Sequence, residues 1–126
     1  MAPSMTIQSM ETKMVIAMRV DGPYETLALG LSAKLVSEAV IQTYQRGLET
    51  DPLAVKQWEM NAWPKIVVKC NDLKQLMAVE SRAKENSLNH FTLHKELFGT
   101  KEPVLCVVGP ALNDKVNLAT GQLRLL

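Results

Sequence analysis

Pro64-Lys65-Ile66-Val67-Val68-Lys69-Cys70 is the stretch on which the fold turns. The proline breaks any helix before it, because its ring clashes with the helical backbone and it has no N–H to donate. The residues after it are apolar at successive positions, not alternate ones. That pattern suits a strand buried on both faces, as in a sheet covered by helices. Met14–Met18, stopped by Asp21-Gly22-Pro23, and Val104–Val108, followed by Gly109-Pro110, have the same character.

The segments between these runs have other periods. Glu25–Arg46 carries Leu29, Ala33, Val36, Val40 and Tyr44 at steps of three and four, which predicts a helix with that stripe toward the core and Gly47 as its stop. A short helix is expected over Asp51–Met60, capped by Asp51 with Pro52 in its first turn. Asn71-Asp72 opens another, carried by Leu73, Leu76, Met77, Val79 and Ala83 and ending near Asn86. His90–His94 alternates as a strand with Phe91 and Leu93 inward, and Glu96–Pro103 reads as a loop. A last short helix, Leu112–Ala119, precedes the tail Leu123–Leu126. The order β-α-α-β-α-β-β-α predicts an α/β fold of three layers, a four-stranded mixed β-sheet with helices on both faces.

The chain has 126 residues, enough for one domain, and 47% of them are apolar. Residues 1–12 are polar and small and read as a disordered lead-in, with the domain over 13–126. Fourteen Lys and Arg against thirteen Asp and Glu leave a net charge of +1, which gives no global electrostatic case for nucleic acid. Only 5% of the residues are aromatic, so stacking platforms for single-stranded bases are few. Cys70 and Cys106 both lie in strand-like runs and read as buried, reduced thiols. No apolar run approaches a membrane span, and the first residues carry neither a hydrophobic signal core nor Arg-rich transit character. A cytoplasmic protein without membrane contact is the expectation.

The catalytic signatures are thin. None of the six glycines falls in a phosphate-binding loop. His90 and His94 share a strand face about 13 Å apart, too far to hold one metal ion. Cys106, inside a buried run, lacks the exposed electropositive setting that a nucleophilic thiolate needs. No cofactor or metal is implied.

Lys13-Met-Val-Ile16, Arg19-Val-Asp21, Lys56-Gln-Trp-Glu59, Pro64–Lys69, Gly109-Pro110 and Thr120-Gly-Gln-Leu-Arg-Leu125 occur in a characteristic order and spacing. In these the chain resembles the peptidyl-tRNA hydrolases of the archaeal and eukaryotic type, across residues 13–126. The resemblance implies the four-stranded fold read above and an activity on the ester joining a peptide to a tRNA ribose. It implies tRNA or peptidyl-tRNA as a partner and, since family members often dimerise, a homodimer. The family's first helix carries Gly-Lys, Ala-Ala-Gln and His-Ala. Here Leu31 stands at the Lys, Leu35 at the Gln and Glu38 at the His. A second family cluster, Asp-Ala-Gly-Arg-Thr-Gln, follows the third strand; Lys95 falls at the Asp, and Thr100 is the candidate for the Thr.

These departures remove a charged donor and invert the charge opposite it, so hydrolysis by the family's own residues is not expected. Catalysis would rest on Lys34, Glu38, Lys95 and Thr100: Lys34 or Glu38 is placed to approach Lys95 or Glu96 across the cleft, and Glu38 with Lys95 would make a charge-swapped site. The ordinary alternative is solvated surface charges worth about 0.5 kcal/mol. Leu27, Leu31 and Leu35 form a second apolar stripe on the same helix. Either the loop around Leu97-Phe98 covers it, or it is a face for a protein partner or a second copy.

Overall fold

The computed structural model describes residues 11–126. The disordered lead-in expected over residues 1–12 lies outside these except at its end. There Thr12 is buried and already part of the first strand. The strands are β1 (Thr12–Arg19), β2 (Lys65–Cys70), β3 (His90–Glu96) and β4 (Lys101–Leu112). The helices are α1 (Leu29–Thr50), α2 (Pro52–Met60), α3 (Leu73–Glu85) and α4 (Asn113–Thr120), with a 3-10 turn over Gly22–Thr26. One four-stranded sheet runs β2-β1-β4-β3. β1 pairs parallel with β2 and antiparallel with β4, and β4 pairs antiparallel with β3. The mixed sheet and the element order are those expected from the sequence.

Alternation along the two central strands divides the core. Val15, Ala17, Cys106 and Val108 face α3 and α4, where they meet Leu76, Val79, Ala83, Val116 and Ala119. Met14, Ile16, Leu105 and Val107 face α1 and α2, where they meet Leu35, Ala39 and Trp58. Each central strand is thus covered on both sides, which is why its apolar run is continuous.

Five local expectations need correction. The line of α1 that is fully buried is Leu35, Ala39, Thr43 and Gly47, whereas Leu29 is 86% exposed. At 3.6 residues per turn this line lies roughly 80° from the predicted stripe. Its small residues let the helix lie close to the sheet. The larger Val40 and Tyr44 pack at its flank, where Tyr44 meets Trp58 with ring centroids 6.3 Å apart.

Gly47 is therefore not a stop. A Cβ there would come within 2.8 Å of Val55 Cγ2 and 3.2 Å of Asn89 Nδ2, so glycine permits a close approach. The helix begins at Leu29, not Glu25, because Leu27 and Ala28 are extended (ψ 138° and 141°). α2 follows the expectation: the Asp51 carboxylate accepts from the Ala54 N–H at 3.3 Å.

Gly109-Pro110 does not end β4, which continues to Leu112. The register of β4 against β1 shifts between Lys13 and Val15, which lets the irregular dipeptide stay in the strand. The peptide is cis, and Gly109 has φ +107°. Its Cβ position would lie 2.7 Å from the Lys13 carbonyl oxygen, so only glycine fits.

The loop expected over Glu96–Pro103 is mostly hairpin. Lys95 stands opposite Glu102 and Glu96 opposite Lys101, and Gly99 supplies a positive φ in the turn. Opposite charges across the ladder favour that pairing, a cue that composition hides. The tail also joins the sheet. Lys69 N–H donates to Arg124 O at 2.9 Å and Leu126 N–H to Val67 O at 3.1 Å, so the free edge of β2 is covered.

Candidate active site

The end of β1, the turn after it, the first turns of α1 and the β3–β4 hairpin converge at one end of the sheet. Arg19 is the centre of that convergence. Its side chain is 8% exposed and its Nε and Nη2 donate to Asp21 Oδ1 and Oδ2 at 3.0 and 2.7 Å. Nη1 donates to Glu102 Oε1 at 2.6 Å and to Pro103 O at 3.1 Å. The guanidinium lies 4.2 Å from the centroid of Tyr24, and Tyr24 meets Phe98 edge to face at 5.3 Å. One arginine thereby ties strand, turn and hairpin together.

The electrostatics follow from these contacts. Hydrogen bonds to both carboxylates push the Arg19 pKa further up. Those from Arg19 hold the Asp21 carboxyl below the usual range. Burial, with the nearby Glu102 charge, pushes the Tyr24 phenol up. The sequence reading missed this cluster. Its signal was a single charge, Arg19, closing a run of buried apolar residues two positions before Asp21.

Of the four candidate catalytic residues, two meet. Lys95 Nζ lies 3.0 Å from Glu38 Oε2, with about a third of each side chain exposed. Glu38 comes from the third turn of α1 and Lys95 from β3, two residues beyond the buried Leu93. Lys34 and Thr100 are exposed, and neither side chain joins that pair.

The leucine face is accounted for by packing. Leu35 is 2% exposed, and Leu27, Leu31 and Leu97 pack against the same core cluster. A partner face needs accessible side chains, which Leu35 does not have. Leu27 and Leu31 are partly buried, so packing into the core takes up much of the stripe.

The thiols are buried as expected, and burial pushes Cys70 up to about 11 and Cys106 up to about 12. Neither suits a nucleophile at neutral pH. His90 Nδ1 lies 2.9 Å from Leu88 O, while His94 is exposed. Among the described residues no group of three or more His, Cys, Asp or Glu could hold a metal ion, and no helix is long and apolar enough to cross a membrane.

A family model described as Peptidyl-tRNA hydrolase PTH2 matches residues 12–126. The chain belongs to this family. The peptidyl-tRNA hydrolase of Methanopyrus kandleri is 30% identical over 117 residues, covering 90% of this chain and 97% of that protein. The peptidyl-tRNA hydrolase of Methanocaldococcus jannaschii is 28% identical over 120 residues, covering 90% and 99%. The mitochondrial peptidyl-tRNA hydrolase 2 of Homo sapiens is 28% identical over 118 residues, covering 91% of this chain and 64% of that protein. The peptidyl-tRNA hydrolase resemblance read from Lys13 to Leu125 is thus a family relationship. In this chain Leu31 packs against the core cluster, and Glu38 and Lys95 bring opposite charges together about two turns further along the helix.

Proposed function

We propose that the protein binds peptidyl-tRNA and hydrolyses its ester through the Glu38–Lys95 pair. The observation that carries this reading is the 3.0 Å contact between carboxylate and ammonium, spanning α1 and β3. It sits at two positions where the family resemblance expects functional groups. Half-buried, it remains open to water and substrate.

The chemistry needs a base and a donor. The Glu38 carboxylate takes a proton from water as the water oxygen bonds to the ester carbonyl carbon. The Lys95 ammonium stabilises the oxyanion. Collapse breaks the bond to the ribose oxygen, which takes up the proton from Glu38. Free peptide and tRNA leave. Thr100, in the β3–β4 turn, and Lys34, one turn before Glu38, are proposed to contact the substrate at the rim. Buried thiols are compatible with a reducing cytoplasmic compartment.

A second reading, binding of the tRNA without turnover, draws on one observation. Leu31, at the position of the family's lysine, packs into the core cluster and supplies no donor. Peptide release from peptidyl-tRNA by the purified protein separates the two. Hydrolysis is expected, with Glu38→Gln and Lys95→Met each lowering kcat by about a hundredfold or more. Salt-dependent tRNA binding without any peptide release would refute hydrolysis and leave the binding reading.

A further inference from the structure

We infer that Arg19 is a positioning residue: by occupying Glu102 it leaves Lys95 to Glu38. The inference rests on the reading of Glu38 and Lys95 as the reacting pair, and it concerns what assembles them.

Lys95 and Glu102 stand directly opposite each other in the β3–β4 ladder. Opposite positions of an antiparallel pair share a face and have Cβ atoms about 5 Å apart. By register alone, Glu102 is therefore the natural partner of Lys95. The ion pairs run otherwise: Lys95 reaches Glu38 at 3.0 Å, and Glu102 is taken by Arg19 at 2.6 Å.

Arg19 is well placed to enforce this. Its side chain is buried, two of its nitrogens are engaged by Asp21, a third also holds the Pro103 carbonyl, and Tyr24 supports its face. A planar guanidinium held at so many points fixes the carboxylate it binds. Lysine is the mobile member, a point charge on a flexible stem. Freed from Arg19, the Glu102 carboxylate would draw Lys95 across the ladder and away from α1, leaving Glu38 alone. A displacement of that kind costs on the order of a hundredfold in a positioning-dependent reaction.

The test follows Lys95 directly. In Arg19→Gln, NOEs from the Lys95 ε-methylene are expected to move from the Glu38 to the Glu102 γ-methylene. kcat for peptidyl-tRNA is expected to fall about a hundredfold, with KM little changed. Arg19→Gln combined with Glu102→Gln removes the competitor, so the Lys95–Glu38 contact and most of kcat are expected to return. A purely structural role for Arg19 would not be rescued by taking away a second charged partner. Lys95 remaining on Glu38 in Arg19→Gln would overturn the inference, as would failure of the double variant to restore the contact. Glu38→Gln serves if Arg19→Gln does not fold: with Arg19 intact Lys95 must stay off Glu102, and finding it there would equally overturn the inference. The NOE arms need no turnover. A wild-type protein that hydrolyses nothing would refute the proposed function while the role of Arg19 is still read.

Discussion

Replacing Arg19 by Met tests how much the arginine contributes to holding the site together. The substitution removes the only cation in contact with Asp21 and Glu102 among the described residues, and it leaves both carboxyl groups without that partner. Removing one partner of a fully buried ion pair costs about 3–5 kcal/mol. Here the carboxylates are 26% and 31% exposed, so water can partly solvate them and the lower end applies, about 3 kcal/mol. For a domain of this size that corresponds to a fall in Tm of roughly 10–15 °C, and the variant should still fold.

The sign of the pH dependence is determined by Asp21. Its carboxyl is held down in the folded protein by Arg19, so that contribution is fully present above the unfolded value of about 3.9 and is lost as pH falls through the lower folded value. Urea unfolding of both proteins from pH 7 to pH 2.5 should show the full difference down to about pH 5 and a shrinking one below about pH 4. A stability loss under 1 kcal/mol at pH 7, or one that widens on acidification, would refute the reasoning.

Gly47→Ala places a methyl group 2.8 Å from Val55 Cγ2. It should destabilise by about 1–3 kcal/mol in chemical denaturation, although alanine is the better helix former. Asp51→Ala removes the cap on α2 and is expected to cost about 1 kcal/mol in the same assay. Cys70 and Cys106, with thiols raised to about 11 and about 12, should resist a thiol reagent at pH 7.5 in the native protein and react at once in denaturant. Removing residues 124–126 bares the β2 edge. Light scattering should then show concentration-dependent association beyond that of the full chain.

Much of this architecture is local chemistry and was legible in the residues. The continuous apolar runs at Met14–Met18 and Val104–Val108, the proline at 64, and the caps at Asp51 and Asp72 determine the order of elements and the mixed sheet, because burial on both faces leaves no alternation to misread. The spacing from Lys13 to Leu125 named the family, and lining up its helix motif and its second cluster brought out Glu38 and Lys95 as candidates.

What needed the tertiary structure was which of several adequate choices each residue takes. The buried line of α1 runs through Ala39, Thr43 and Gly47, since closeness to the sheet outweighs hydrophobicity, and no periodicity reports that. Gly109-Pro110 stays inside a strand because a register shift in the neighbouring pair accommodates it. Lys95 has two acidic neighbours, Glu102 by register and Glu38 across the layers. Only the place of Arg19, more than eighty residues from Glu102 in the chain, decides between them. Ion pairs between distant segments depend on relative position at the scale of an ångström, and that is a property of the packed molecule, not of any stretch of its sequence.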